Sequence, residues 1–338
     1  MGAFNEYHLD KSVYVAYGTV MFFILCLGLA GNLLSIPVLL HRDHRKKSVT
    51  SLMLNMCVVD VLLCSVGYSV SISYNLVGKE MEKDDHLRCG WIAFINCFTG
   101  IVGIITLTLM SYISYAGITT ISVANAQGNK ITLKNKIMLV AFVWIFSLVL
   151  SIPPAFGWNS FVPFENGISC HPDWVSQDPA DRSYIILLVI FGFFLPAAII
   201  FVCYSKTYCF IKGSSFPIND SNQAILKRQV ETQKKMLRMT VAAVTVFFLS
   251  WAPYCIVSLM ATAKGRPVLS GAASLFPELT AKSSVVFNPM VYTFMNSKFR
   301  FTLKNMLRLN YNAVSPVSTL VMENSSSNVG TPAATTNS

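Results

Sequence analysis

The chain has 338 residues, 53% hydrophobic and only 12% charged, with a net charge of +10. Soluble domains carry about 25% charged residues, so so apolar a chain cannot hide its surface from water and a bilayer is its expected solvent. The basic excess does not read as nucleic-acid binding, because the Lys and Arg residues fall in loops between apolar runs, where they set membrane orientation.

Residues 1–13 are polar and read as an extracellular N-terminus with no cleavable signal. Apolar runs long enough to cross about 30 Å of hydrocarbon follow at 14–40, 50–76, 87–117, 134–156, 182–210, 235–263 and 272–295. Helices satisfy their own backbone groups in lipid, so these seven spans predict an all-α membrane protein, a seven-helix bundle over 14–296. Span three is the weakest by composition, being rich in Thr and Ser, and span seven is short and holds Glu278 and Lys282. Pro153, Pro154, Pro196, Pro253 and Pro289 mark expected kinks. Basic residues crowd alternate loops: Arg42 to Lys47, Lys130 to Lys134, Lys206 to Lys235, and Lys298 to Arg308. This places the N-terminus outside and the C-terminus in the cytosol. The third cytosolic loop, about Lys212 to Gln229, reads as polar and mobile. Ser297 to Leu309 reads as an amphipathic helix on the inner leaflet. Its apolar residues are Phe299, Phe301, Leu303, Met306 and Leu307, and its basic ones Lys298, Arg300, Lys304 and Arg308. Residues 310–338 read as a disordered Ser/Thr-rich tail.

Polar residues recur within the spans, where they are costly and functional by default. They include Gly31-Asn32 in span one, Asp60 in span two and Trp144 in span four. Span six carries Phe247-Phe248-Leu249-Ser250-Trp251-Ala252-Pro253-Tyr254, and span seven Asn288-Pro289-Met290-Val291-Tyr292 before Phe299-Arg300. In this order the set resembles the rhodopsin-like G-protein-coupled receptors over residues 14–309. The resemblance makes Asn32, Asp60, Asn288, Pro289 and Tyr292 an activation network; the plainer reading is glue between helices. It also pairs Cys89, at the outer end of span three, with Cys170 in the second outer loop. Pairing suits an oxidising exterior.

Lys282 narrows the class. It stands in Ala281-Lys282-Ser283-Ser284, six residues before Asn288-Pro289. A desolvated lysine loses its proton readily and condenses with aldehydes; the alternative is a snorkelling or salt-bridged lysine. The setting resembles the opsins, whose retinal is carried at this place as a protonated Schiff base, 11-cis in the dark and all-trans after light. The resemblance implies Trp251 and Tyr254 as chromophore contacts and the loop from Gly157-Trp158 to Cys170 as a lid. The usual seats of the opsin counterion hold Ile92, Phe164 and Ser71 instead of carboxylates. Glu278, one helical turn from Lys282, is the replacement candidate. Glu165 is another, and a chloride ion beside Ser71 a third source of charge.

The family's Asp/Glu-Arg-Tyr is Ile113-Ser114-Tyr115 here, and its acidic partner on span six is Gln233. Both halves of the usual ionic lock are missing. The residues around Ala281 to Arg300 are similar to peropsin and neuropsin, and the empty counterion seats with a span-seven glutamate are similar to an anthozoan opsin group. The leading expectation is a light-sensing receptor in the plasma membrane. Its expected partners are a heterotrimeric G protein, of the Gq class without a physical reason, and arrestin and receptor kinase on a tail containing Ser315, Ser318, Thr319 and Ser325 to Ser327. Alternatives are a retinal photoisomerase with little signalling and a receptor for a diffusible ligand. The spans lack the charged rings or inverted repeats of channels and transporters, and no hydrolase or kinase motif appears.

Overall fold

The computed structural model describes residues 9–42, 44, 48–78, 86–123, 132–164, 167–213 and 223–314. Span one is the helix Lys11–Leu40. Span two runs Ser48–Leu62, widens into a π turn at Leu63–Tyr68 and continues as Ser69–Val77. Span three is His86–Val123 and span four Leu133–Ser151. Span five runs Pro179–Val189, a π turn at Ile190–Phe194, then Leu195–Gly213. Span six is Gln223–Lys264. Span seven is assembled from Leu275–Lys282 and Ser284–Met295. Among the described residues six helices are long and apolar enough to cross a membrane; span seven, which carries Glu278 and Lys282, is not among them.

Span three threads the middle of the bundle. Within its apolar window 72% of the residues are buried, against 17% for span four. This explains its hydroxyl-rich composition. Thr99, Thr106, Thr108, Ser111 and Ser114 each donate to the carbonyl four residues back, at 2.6–2.8 Å, so small polar side chains satisfy themselves where seven helices crowd. The outer spans instead present Phe22, Phe23, Leu27, Phe142, Phe201 and Leu249 outward, a surface suited to hydrocarbon.

The structure moves three expected boundaries. Span four stops at Ser151, and Pro153–Phe156 forms a 3₁₀ turn ended by Gly157 at φ 85°. Pro154 disfavours the helical region for Pro153, and neither ring can donate, so these prolines end the span instead of kinking it. Gln223–Gln229, expected in a loop, is helical as the start of span six. It is polar, but built of helix formers without Gly or Pro; hydropathy registers only the part of a helix that crosses lipid. After Asn296, whose Oδ1 accepts from the Phe299 N–H at 3.2 Å, the terminal helix runs Ser297–Val314 and does not stop at Leu309. No breaker precedes Pro316, and helices commonly persist to the residue before a proline. This helix docks against the end of the bundle: Phe299 is buried, and Thr302 Oγ1 lies 3.1 Å from His44 Nε2 in the connection between spans one and two.

At the end of the bundle where span three begins, strands β1 (Phe161–Pro163) and β2 (Cys170–Pro172) pair antiparallel, Phe161 opposite Pro172 and Pro163 opposite Cys170. A disulfide joins Cys89 to Cys170 with Cα atoms 5.4 Å apart. It fixes β2 against the head of span three, and Ile92, Ala93, Val70 and Phe161 pack around it. Replacing either cysteine with serine is expected to cost about 2–5 kcal/mol and to abolish surface expression. Wild-type surface levels of Cys89→Ser or Cys170→Ser by cell-surface labelling would refute this.

Candidate functional site

Pro289 shapes the inner half of span seven. Having no N–H, it leaves the carbonyl of Val285, four residues back, without its helical donor. Asn32 Nδ2 supplies one at 2.9 Å, and also donates to Gly28 at 2.9 Å. Gly31 makes the approach possible, since a Cβ there would stand 2.9 Å from the Pro289 ring. One residue before the proline, Asn288 Nδ2 donates to Asp60 Oδ2 at 2.9 Å. Tyr292 is fully buried and its ring faces that of Phe299 at 6.3 Å. Asn32, Asp60, Asn288, Pro289 and Tyr292 thus lie where spans one, two and seven meet. Trp144 Nε1 donates to Asn55 Oδ1 at 2.8 Å, and Asn55 Nδ2 to Thr106 at 3.0 Å, tying span four to two and three.

The outer half of span seven breaks at Ser283. Val286 N–H bonds the Ser283 carbonyl at 3.0 Å, three residues back, so the Lys282 carbonyl loses its usual partner. The Tyr68 hydroxyl donates to it at 2.9 Å. Tyr68 is the last residue of the π turn in span two, and such turns often mark functional sites.

The Lys282 side chain is 6% exposed. Its Nζ lies 2.6 Å from Glu278 Oε1 and donates to the Tyr17 hydroxyl at 3.0 Å and to Ser169 Oγ at 3.2 Å. The spacing of four residues put Glu278 and Lys282 on one face, and the structure pairs them directly. Tyr17 and Ser169 escaped sequence reading: one sits in an apolar run, the other beside a disulfide cysteine, and only folding brings either to the amine. Asn75 holds the loop above them, its amide donating to the Ile168 carbonyl at 3.2 Å and to Ser71 O at 2.8 Å.

Lys282 and Glu278 line a cavity of about 150 Å³ that reaches across to Leu188 and Phe193 of span five. Trp251 stacks on Phe247 at 5.7 Å and meets Tyr254 edge-on at 6.1 Å, and all three line the cavity. Gly100 makes room, because a Cβ there would lie 2.7 Å from Trp251 Cη2. The connection between spans four and five contributes Phe164, His171 and Trp174. Trp174 Nε1 donates to the Tyr254 hydroxyl at 3.2 Å, and the rings of Phe164 and His171 stand 4.1 Å apart. Burial pushes the His171 imidazole below its usual range.

Of the candidate residues, Lys282, Glu278, Trp251, Tyr254 and Phe164 share the cavity wall. Ser71 and Ile92 are buried but do not line it. Ile92 packs behind Ala93 and Cys170, which do, because the disulfide draws β2 over that face of span three. Glu165 and the tail hydroxyls from Ser315 onward lie outside the described residues. Toward the C-terminal end of span three, Ser114 donates to its own helix at Met110, 2.7 Å away. Gln233 Oε1 instead faces Gly117, where a Cβ would stand 3.1 Å away. Ser114 and Gln233 are both uncharged, so they form no ion pair.

Comparison with known proteins agrees with this architecture. The family described as "7 transmembrane receptor (rhodopsin family)" matches residues 31–292. Melanopsin of Podarcis siculus is 28% identical over 312 residues, covering 90% of this chain and 65% of that protein. Human melanopsin is 29% identical over 297 residues, covering 86% and 61%. Pineal opsin of Petromyzon marinus is 28% identical over 278 residues, covering 82% and 60%. The chain therefore spans less than two thirds of the length of these relatives. The crystal structure of squid rhodopsin has the same fold, with a TM-score of 0.76 at 23% identity, covering 90% of this chain and 88% of that one. A membrane-receptor family, not an enzyme family, accounts for the spans, the motifs and the match: the chain belongs to the rhodopsin family of seven-transmembrane receptors.

Proposed function

We propose that the chain is a light-sensing receptor that carries retinal on Lys282. One observation carries this reading: a buried amine, paired with a buried carboxylate, opens on an aromatic-walled apolar cavity. The residues fit the group, since an aldehyde needs the amine and a polyene needs flat apolar walls. When bound, retinal supplies the aldehyde that condenses with Lys282 and a polyene whose shape changes on absorbing light.

The chain's own residues do the rest. Glu278 keeps a negative charge beside the Lys282 nitrogen, and a chloride ion is a second source of charge in one of the dark and light states. Trp251, wedged between the cavity and Gly100, passes a change of cavity shape to span six, and Pro253 gives that span a bend to swing about. Toward the cytosol, the Asp60–Asn288 contact and Tyr292 rearrange, and the neutral Gln233–Gly117 contact gives span six little to break. The partners proposed are a heterotrimeric G protein of the Gq class and, on the cytosolic tail, arrestin and receptor kinase. The basic loops support an N-terminus outside the plasma membrane. A photoisomerase that signals little is the second reading, favoured by Ile113-Ser114-Tyr115 in place of the arginine motif.

Purified chain mixed with 11-cis-retinal is expected to give a light-minus-dark difference spectrum. Absence of any light-dependent band would defeat both readings. Light-driven nucleotide exchange on a G protein separates them, since a photoisomerase gives the band without the exchange.

A further inference from the structure

Lys282 as an ammonium has three N–H donors. Three acceptors surround it: Glu278 Oε1 at 2.6 Å, the Tyr17 hydroxyl at 3.0 Å and Ser169 Oγ at 3.2 Å. The set is complete for the free lysine. On the reading above, condensation with an aldehyde removes two of those hydrogens, which leave with the aldehyde oxygen as water. One hydrogen and the positive charge stay on the nitrogen. Three acceptors then share one donor. The carboxylate keeps it, because a charge-assisted hydrogen bond is roughly twice as strong as a neutral one. Both hydroxyls lose the donor they accepted from and keep their own O–H to donate.

Tyr17 is the better held of the two. It is 2% exposed, and its neighbour Gly18 lets span one press against span two, where a Cβ would stand 3.0 Å from the Leu76 backbone nitrogen. The ring lies beneath the amine, 5.6 Å from its centroid to Nζ. The other titratable groups around Glu278 are Tyr68 of span two, His171 of β2 and Tyr254 of span six. Tyr68 is committed to the Lys282 carbonyl and Tyr254 accepts from Trp174, while His171 Nδ1 lies 2.6 Å from the Pro172 carbonyl. Of these phenols and Tyr17, it is Tyr17 on span one that shares a side-chain hydrogen bond with Glu278.

We propose that Tyr17 is a positioning residue for the counterion: its hydroxyl accepts from the free Lys282 amine while donating to the Glu278 carboxylate, and it keeps donating to that carboxylate once the chromophore is attached. In that role it anchors the carboxylate as an anion next to the Lys282 nitrogen and so sets how tightly that nitrogen holds its proton. The proposal rests on Lys282 as the retinal site and Glu278 as its counterion.

Tyr17→Phe removes the hydroxyl and keeps the ring. In the pigment, the pH at which the visible band gives way to an ultraviolet one is expected to fall by about one unit, a tenfold weaker hold on the proton. Met21→Leu, a buried substitution one turn along span one, leaves that pH unchanged. Without retinal, the Lys282 ammonium of Tyr17→Phe lacks one acceptor. Its reductive methylation by formaldehyde and cyanoborohydride, followed by mass spectrometry, is expected to reach half-extent at lower pH than in the parent. If Tyr17→Phe forms no pigment, this retinal-free measurement decides alone. Should Glu278→Gln move the spectral transition while Tyr17→Phe moves neither transition nor methylation, the proposal falls and the counterion reading stands. Should Glu278→Gln move nothing, the counterion reading falls and takes the proposal with it.

Discussion

Lys282→Ala is expected to abolish the visible pigment completely. Among the described residues Lys282 is the buried lysine, and its amine opens on the cavity; no nitrogen remains there to condense with an aldehyde. Loss of pigment through misfolding must be told apart from loss through chemistry. The alanine leaves Glu278, 5% exposed, without its cationic partner, and breaking a buried pair on one side costs about 3–5 kcal/mol. The double substitution Lys282→Ala with Glu278→Gln removes both charges and should recover much of that loss. Expected, then, is a double variant with near-parental yield and thermal stability that forms no pigment. Retinal fixed to Lys282→Ala by borohydride in the light would place the attachment elsewhere.

Glu278→Gln is expected to turn a visible pigment into an ultraviolet one at neutral pH, in at least one of the dark and illuminated states. An opposite charge within about 4–6 Å moves a pKa by 1–3 units toward the charged form. Removing the carboxylate 2.6 Å from the Lys282 nitrogen therefore lowers the proton affinity of that nitrogen by a comparable amount. The sign is fixed: the protonated, visible form is kept only at lower pH than in the parent. Titration of dark and illuminated spectra gives the two values. Exchange of chloride for a bulkier anion shows whether a bound ion carries the charge in either state. If neither spectrum responds to Glu278→Gln, Glu278 is not the counterion; if chloride exchange is also silent, Glu165 is next to be substituted.

The prominent part played by span one at the amine was not foreseeable from pattern. Tyr17 and Lys282 are 265 positions apart, and nothing in Tyr14-Val15-Ala16-Tyr17-Gly18 distinguishes a cavity-directed phenol from one at a lipid interface. Ser71 and Ile92, the non-carboxylate residues at two usual counterion seats, are buried outside the cavity wall. Alignment to a family pattern gives a position along a helix, but which residue reaches the cavity depends on how β2 is drawn over span three.

The sequence by itself determined the seven spans, their approximate ends, the Cys89 and Cys170 positions, the Asn32, Asp60 and Asn288 set, and the Glu278–Lys282 spacing. These are local quantities, because lipid demands about 20 apolar residues per crossing and a helix puts residues four apart on one face. Only the tertiary structure decided that span three is central, that Gly31 and Asn32 meet the Pro289 break, and that Tyr17 and Ser169 complete the shell of the amine. It also decided that Gln233 rests on Gly117 where an ion pair was the family's pattern. Those outcomes depend on close packing between elements distant in the chain, where the presence or absence of a single Cβ sets which backbones approach, and one-dimensional periodicity carries no record of that.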